Sequence, residues 1–258
     1  MTGQDPFVPF GEQAVAVQGG NQLAETSDYI DSTGTTIVIP DGAEPVAAAT
    51  REEGIVEVAD GSQSMTESLA ETGEQIPGLP ARTKAAAATV AASDVVARLQ
   101  TSSKAANFSL GFVAFNDRVT VDRPIVPILD IPATDDFDPT AAGTGGTCMY
   151  LGLEAARKQI ERWRQARPGT LHVSNVVVLY GDGLCSNPQR TLQAAAALKE
   201  IPNVTVAACL FRGPRDTDSG AQLLQAVASG PRFYKTVHDA EQLREFFLAS
   251  ITLAGGGI

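Results

Sequence analysis

Residues 173–180 read Val173-Ser-Asn-Val-Val-Val-Leu-Tyr180 and run on into Gly181-Asp-Gly183. The unbroken apolar core of this stretch, Val176-Val-Val-Leu179, is mostly β-branched and short, which suits a strand covered on both faces rather than one with a wet side. A strand of that kind needs helices above and below it. The flanking sequence supplies them. Met149–Gln165 before it places Leu151, Leu153, Ala156 and Ile160 at helical spacing, and Gln189–Lys199 after it reads as a second helix.

The alternation continues in both directions. Upstream, Ile55–Ala59 reads as a strand interrupted by Glu57, followed by the polar turn Asp60-Gly-Ser-Gln-Ser64. Residues 66–82, with Gly73, Pro77, Gly78 and Pro80, read as a long loop. Thr83–Leu99 is Ala-rich, lacks Gly and Pro and reads as a helix. Phe108–Phe115 reads as a strand, Val119–Val121 continues a hairpin past Asn116-Asp117, and 124–142 forms a Pro/Asp-rich loop. Downstream, Val204–Phe211 is a buried strand, Ala221–Ala228 a helix, Phe233–Thr236 a short strand and Ala240–Leu253 a closing helix. Strand followed by helix recurs at least four times, which predicts an α/β fold built on a doubly wound, mostly parallel sheet with helices on both faces. No fixed period repeats, so a solenoid or propeller is excluded. Gly255–Gly257 reads as a linker or frayed tail.

Charge divides the chain in two. Of 258 residues, 30 are acidic and 19 are Lys or Arg, for a net charge of −11. Residues 1–50 hold seven of those acids (Asp5, Glu12, Glu25, Asp28, Asp31, Asp41, Glu44) and no Lys or Arg, which leaves 23 acids against 19 bases in the remainder. An acidic extension, 1–50, therefore precedes a nearly balanced domain, 51–254. Within the extension, Ala14–Val17 and Thr35–Pro40 have strand character; they form a hairpin or belong to an acidic leader. An acidic chain repels phosphate backbones and anionic lipid, which argues against nucleic-acid and membrane-surface partners. Three widely spaced cysteines (Cys148, Cys185, Cys209) match neither a disulfide framework nor a zinc site. With no secretory pattern at Met1 and no apolar run of membrane-spanning length, the expected location is the cytoplasm.

In an open parallel sheet, ligands bind outside the carboxyl ends of the strands, where the strand-to-helix loops converge. Asp60, Ser62 and Ser64 lie there after the first strand, Thr147 before the helix at 149, and Asp182 after the strand at 173–180. Two carboxylates and three hydroxyls form a hard oxygen set, which suits Mg²⁺ or Mn²⁺ rather than zinc.

These residues resemble a family. Asp60-x-Ser62-x-Ser64-Met65, Gly145-Gly-Thr147 and Asp182-Gly183 are similar, in order and in position at strand ends, to the three parts of the metal-ion-dependent adhesion site (MIDAS) of von Willebrand factor A (vWA) domains. The resemblance spans about residues 53–252. It implies a Rossmann-like sheet of six mostly parallel strands with one short antiparallel edge strand. It also implies a divalent ion, Mg²⁺ (or Mn²⁺ or Ca²⁺), held by Asp60, Ser62, Ser64, Thr147 and Asp182. The ion's open position would take an Asp or Glu side chain from a partner protein. Two positions depart from the family's habit: Glu57 stands where an apolar residue is usual, and Gly181 where Thr is frequent. As Glu57 points away from Val56 and Val58 on a central strand, it is expected to pair, to meet water or to sit near a sheet edge. The late segments Ala207–Gly213, Leu223-Leu224, Phe233-Tyr234 and Leu243–Phe247 resemble the bacterial tellurite-resistance type, which implies a stress-response setting.

No nucleophile elbow, phosphate-binding loop or dinucleotide fingerprint occurs, so the chain is not expected to be an enzyme. The cross-class alternative is a Mg/Mn-dependent phosphoester hydrolase, which needs a cation for transition-state charge and has only Arg190 near these loops. A third reading is a metal-free scaffold whose site is vestigial. Cys148 and Cys185 adjoin the site but read as inert thiols, Cys209 as core, and His172 and His238 as structural. Asp135, Asp136 and Asp138 read as a solvated loop. Tethered acids such as Asp28, Asp31 and Asp41 are candidate internal competitors for the open metal position. Oligomeric state is not encoded in any of these features.

Overall fold

Strong β-branched runs place the central strands, and the computed structural model orders them into a sheet. It describes residues 26–30, 36–40, 51–69, 83–167, 172–212 and 220–255. The chain divides after Ala48 into two units, and each is described by itself. In the first, β1 (Thr26–Ile30) pairs antiparallel with β2 (Thr36–Pro40), Thr26 opposite Pro40 and Ile30 opposite Thr36. The hairpin thus uses the second of the two segments with strand character. Its partner is Thr26–Ile30, whereas Ala14–Val17 lies outside the described residues. The carboxylates of Asp28, Asp31 and Asp41 and most of the long loop, 70–82, also lie outside them.

The second unit carries β3 (Arg51–Asp60), α1 (Lys84–Gln100), β4 (Phe108–Phe115), β5 (Val119–Pro127), α2 (Met149–Gln165) and β6 (His172–Gly181). It continues with α3 (Pro188–Lys199), β7 (Val204–Phe211), α4 (Ala221–Val227), β8 (Tyr234–Val237) and α5 (Ala240–Leu253). The strands form one six-stranded sheet in the order β5-β4-β3-β6-β7-β8. All neighbours run parallel except β4 and β5, so the antiparallel strand is at an edge. β5 is longer than its sequence pattern suggests. It continues through Pro124 to Pro127, because an edge strand needs only one row of ladder hydrogen bonds and a register shift opposite Leu110–Phe112 absorbs the proline.

Two apolar layers sandwich the sheet. On one face Ile55, Ala59, Phe112, Val176, Val178 and Tyr180 meet α1 and α5, with Tyr180 and Phe247 ring centroids 5.1 Å apart. On the other face Val56, Val58, Val177 and Leu179 meet Leu153, Ala156 and Ile160 of α2, together with α3 and α4. Both layers consist of fully buried side chains, each worth about 1.5–3 kcal/mol relative to exposure. Local signals set the helix starts. Thr83 accepts from Ala86 N at 3.1 Å, Asn187 from Arg190 N at 3.1 Å and Asp239 from Gln242 N at 2.8 Å, so each helix of this set begins on a side-chain cap.

From β3 the chain passes to β4 on one side and eventually to β6 on the other, so the strand order reverses between β3 and β6. Such a switch point leaves a crevice at the carboxyl ends of the two strands. Asp60 ends β3, and Asp182 follows β6 immediately.

Candidate metal centre

Asp60 is wholly buried. Its Oδ1 accepts the Ser62 N–H at 2.8 Å, closing a tight turn that aims the next residues back over the strand end. The Ser62 and Ser64 hydroxyls then lie 3.1 Å apart, within hydrogen-bond distance of each other. Ser62 is 2% exposed and Ser64 half-buried, so this pair opens toward solvent at one side only. The second carboxylate oxygen of Asp60, Oδ2, is buried and has no hydrogen-bond partner among the described residues.

Asp182 approaches from the neighbouring strand. Its Oδ1 accepts the Leu184 N–H at 3.1 Å, and the turn is completed by Gly183 at φ +80°, a conformation that favours glycine. Gly181 answers a packing demand. A Cβ there would stand 2.7 Å from both Cβ and Oδ2 of Asp60, so glycine lets the Asp60 side chain lie across the end of β6. Thr147 sits on the third loop and is 8% exposed. That loop is clamped between the other two: Gly145 O accepts from Gln63 N at 3.1 Å, Thr147 O accepts from Ser186 N at 2.8 Å, and Cys148 N donates to Asn116 O at 2.8 Å. All five residues named from sequence therefore stand on three loops held together at the switch point.

Electrostatics single out Asp60. Burial pushes its carboxyl up to about 7, and the Asp182 charge adds to this, while the Ser62 hydrogen bonds and Lys84 pull the other way. Lys84 is the residue that sequence reasoning missed. Its ammonium lies 3.9 Å from Asp182 Oδ2 and 3.5 Å from Glu67 Oε2, with the side chain 1% exposed. The signal was available: a lysine opening a helix opposes the helix dipole, so an acid has to hold it there. Arg190, the cation expected near these loops, is engaged elsewhere. It lies 3.9 Å over the Tyr150 ring and 3.3 Å from Glu154.

A second acid in β3 departs from expectation. Glu57 was expected to pair, meet water or reach an edge, yet it is 1% exposed in a central strand, and neither carboxyl oxygen has a hydrogen-bond partner among the described residues. Burial raises its carboxyl to about 8, against the pull of Arg123, so it is held neutral at pH 7. Glu53, four positions back on the same face, is raised by burial to about 7 in the same way. The acidic loop is also more ordered than a solvated run. Asp135 pairs with Arg123 at 3.1 Å, and Asp138 accepts from both the N–H and the hydroxyl of Thr140, at 2.8 and 2.7 Å.

Among the thiols, Cys209 is buried in β7 and burial pushes it far above the ordinary thiol value. Cys185 Sγ meets the Thr191 hydroxyl at 3.2 Å, and Cys148 is half-buried. His238 Nδ1 lies 3.2 Å from Arg212 O. Among the described residues no three His, Cys, Asp and Glu side chains converge as a metal cluster, and no helix is long and apolar enough to cross a membrane. A metal at this edge would thus rest on two carboxylates and on hydroxyls. The donors fit a hard divalent cation: Asp60 ends its strand with an orphaned, buried carboxylate oxygen, and the turn that follows carries the Ser62 and Ser64 hydroxyl pair.

Comparison with known proteins agrees with this architecture. The family model for the von Willebrand factor type A domain matches residues 55–249. Among solved structures, the pilus adhesin SpaC of Lactobacillus rhamnosus GG superposes with a TM-score of 0.60 at 13% identity, over 79% of this chain and 30% of the adhesin. The PilB minor pilin of Streptococcus sanguinis gives 0.58 at 13% identity, over 89% of this chain and 73% of the pilin. A von Willebrand factor type A protein of Catenulispora acidiphila gives 0.53 at 19% identity, over 79% and 43%. The chain thus spans about a third of the adhesin's length, and at these identities the likeness concerns the fold. No curated protein sequence matches the chain.

Proposed function

The chain belongs to the von Willebrand factor type A domain family, and from that premise we propose that it is a divalent-metal-dependent protein-interaction module. The observation that carries this reading is Asp60 Oδ2, a buried carboxylate oxygen without a hydrogen-bond partner among the described residues, at a strand end whose next turn brings the Ser62 and Ser64 hydroxyls together. Leaving such a group unsatisfied is costly, and a cation at this edge relieves it. Ser62, Ser64 and Thr147 would hold Mg²⁺ (or Mn²⁺ or Ca²⁺) through their hydroxyls, with Asp60 and Asp182 as the anionic members; the bound ion would offer an open position to a partner's Asp or Glu.

The protein's own residues prepare that event. The Ser62 N–H fixes one oxygen of Asp60 and frees the other, and Gly181 gives Asp60 its place across β6. The clamps at Gly145 and Thr147 keep the third loop seated. Hydroxyl donors leave more positive charge on a cation than carboxylates would, which favours an anionic side chain as the outer ligand.

A phosphoester hydrolase fits less well, because Lys84 is buried beyond the reach of a substrate and Arg190 is engaged with Tyr150 and Glu154. The late-segment resemblance to the tellurite-resistance type leads us to place this module in a bacterial stress-response system, in the cytoplasm. The structural neighbours are named as a pilus adhesin and a minor pilin, so capture experiments should include surface fractions as well.

The test is capture of partners from lysate with Mg²⁺, with EDTA, and with Asp60→Ala as bait. A partner retained in Mg²⁺ and lost in both other arms is the expected result. A partner retained equally in all three would replace this reading by the metal-free scaffold.

A further inference from the structure

Lys84 brings its side-chain nitrogen to the edge at which a metal would bind. It opens α1, and its backbone N–H donates to Glu67 O at 3.2 Å, which ties the helix start to the turn carrying Ser62 and Ser64. Its ammonium stands between two carboxylates, Asp182 at 3.9 Å and Glu67 at 3.5 Å, and Lys84 also acts on Asp60. With the side chain 1% exposed, no group on a partner protein can reach it. Glu67 is different: its side chain is 59% exposed, so the lysine bridges an inner acid of the site and an outer acid at the surface.

Buried charges persist only when neutralised. At this edge two adjacent buried acids, Asp60 and Asp182, have the Lys84 ammonium as a neutralising charge in the absence of any ion. A divalent ion held by the same two acids would lie close to that ammonium, and like charges at such separations repel strongly where water is excluded.

We infer that Lys84 is a tethered counter-cation: it neutralises Asp182 and Asp60 when no divalent ion is bound and competes with the ion for them, with Glu67 as the seat toward which its ammonium is drawn when the ion enters. Metal binding is thereby weakened and made exchangeable, while the site keeps its shape without metal. This inference rests on the metal-binding reading above.

The test is calorimetric titration of Mg²⁺ and of Mn²⁺ into the full chain, comparing wild type with Lys84→Met, Lys84→Gln and Glu67→Gln. Loss of the ammonium should tighten binding at least tenfold, equivalent to about 1.4 kcal/mol. Glu67→Gln keeps the ammonium but removes its outer anchor, and should weaken binding several-fold. In EDTA, Lys84→Met should melt below wild type and should gain more from added Mg²⁺. Folded Lys84 variants that bind Mg²⁺ no more tightly than a metal-binding wild type would overturn the counter-cation alone. If neither wild type nor any Lys84 variant binds metal, both the site reading and this inference fall. Should both Lys84 variants fail to fold, Glu67→Gln decides: weaker binding supports the competition, and unchanged or tighter binding rejects it.

Discussion

Asp60 and Glu57 are acids of one strand, both fully buried and both held well above the ordinary carboxylate range by the same cause, burial. Their surroundings differ completely. Asp60 ends β3 at the switch point, where Ser62 donates to it, Ser64 and Asp182 converge and Lys84 supplies charge. Glu57 lies three residues earlier in the middle of the sheet, between Phe112 and Val178 in the ladder, with Arg123 as its counter-charge. A raised pKa therefore does not by itself mark a site. Convergent donors mark it, and the strand end is where the topology can assemble them.

The comparison can be broken by changing one acid at a time. The largest effect on stability should come from Glu57→Gln. A carboxyl at about 8 in the fold and near 4.5 in the unfolded chain takes up a proton on folding at any pH between the two. The stability it contributes is complete below pH 4.5 and is lost as pH rises through about 8. Glutamine removes that loss. At pH 9 the variant should exceed wild type by about 2–4 kcal/mol, and below pH 5 the two should converge, as read by urea denaturation across pH. Its metal affinity should not change, because Glu57 belongs to no donor set.

Asp60 predicts a different pH signature. A proton on a carboxyl at about 7 competes with a cation, so Mg²⁺ affinity should rise about tenfold between pH 6 and pH 8 and level off above it. Calorimetry at three pH values checks this, and a flat profile would separate metal binding from Asp60. The smallest effect should follow Thr83→Ala, which removes the cap that starts α1 and positions Lys84. It should cost about 1 kcal/mol, or about 2–4 °C in Tm for a unit of this size.

Much of this was legible in the residues. The limits of β4, α2, β7 and α5 coincide with their sequence patterns, because each is a clean periodic or continuous run bounded by turn residues. The strand ends could be read as well, and with them Asp60 and Asp182, since polar turns following apolar runs mark where loops emerge. β5 was read too short because Pro124 signals a break everywhere except on an edge strand. The partner of Thr36–Pro40 in the hairpin was misplaced, since short polar strands carry little period-two signal. Lys84 escaped notice because a lysine opening a helix signals only that an acid lies near it, and one such acid, Asp182, is nearly a hundred positions away in the loop after β6, a pairing no local pattern encodes. The fate of Glu57 was hidden for a related reason: sequence shows an acid in a strand but not whether its neighbours leave it charged.

Titration of Mn²⁺ into wild type and into Asp60→Ala, followed by calorimetry at pH 8, tests the central claim most directly. One ion per chain in the wild type and none in the folded variant is the predicted result. A wild type that takes up no ion, or a variant that binds as the wild type does, would contradict it.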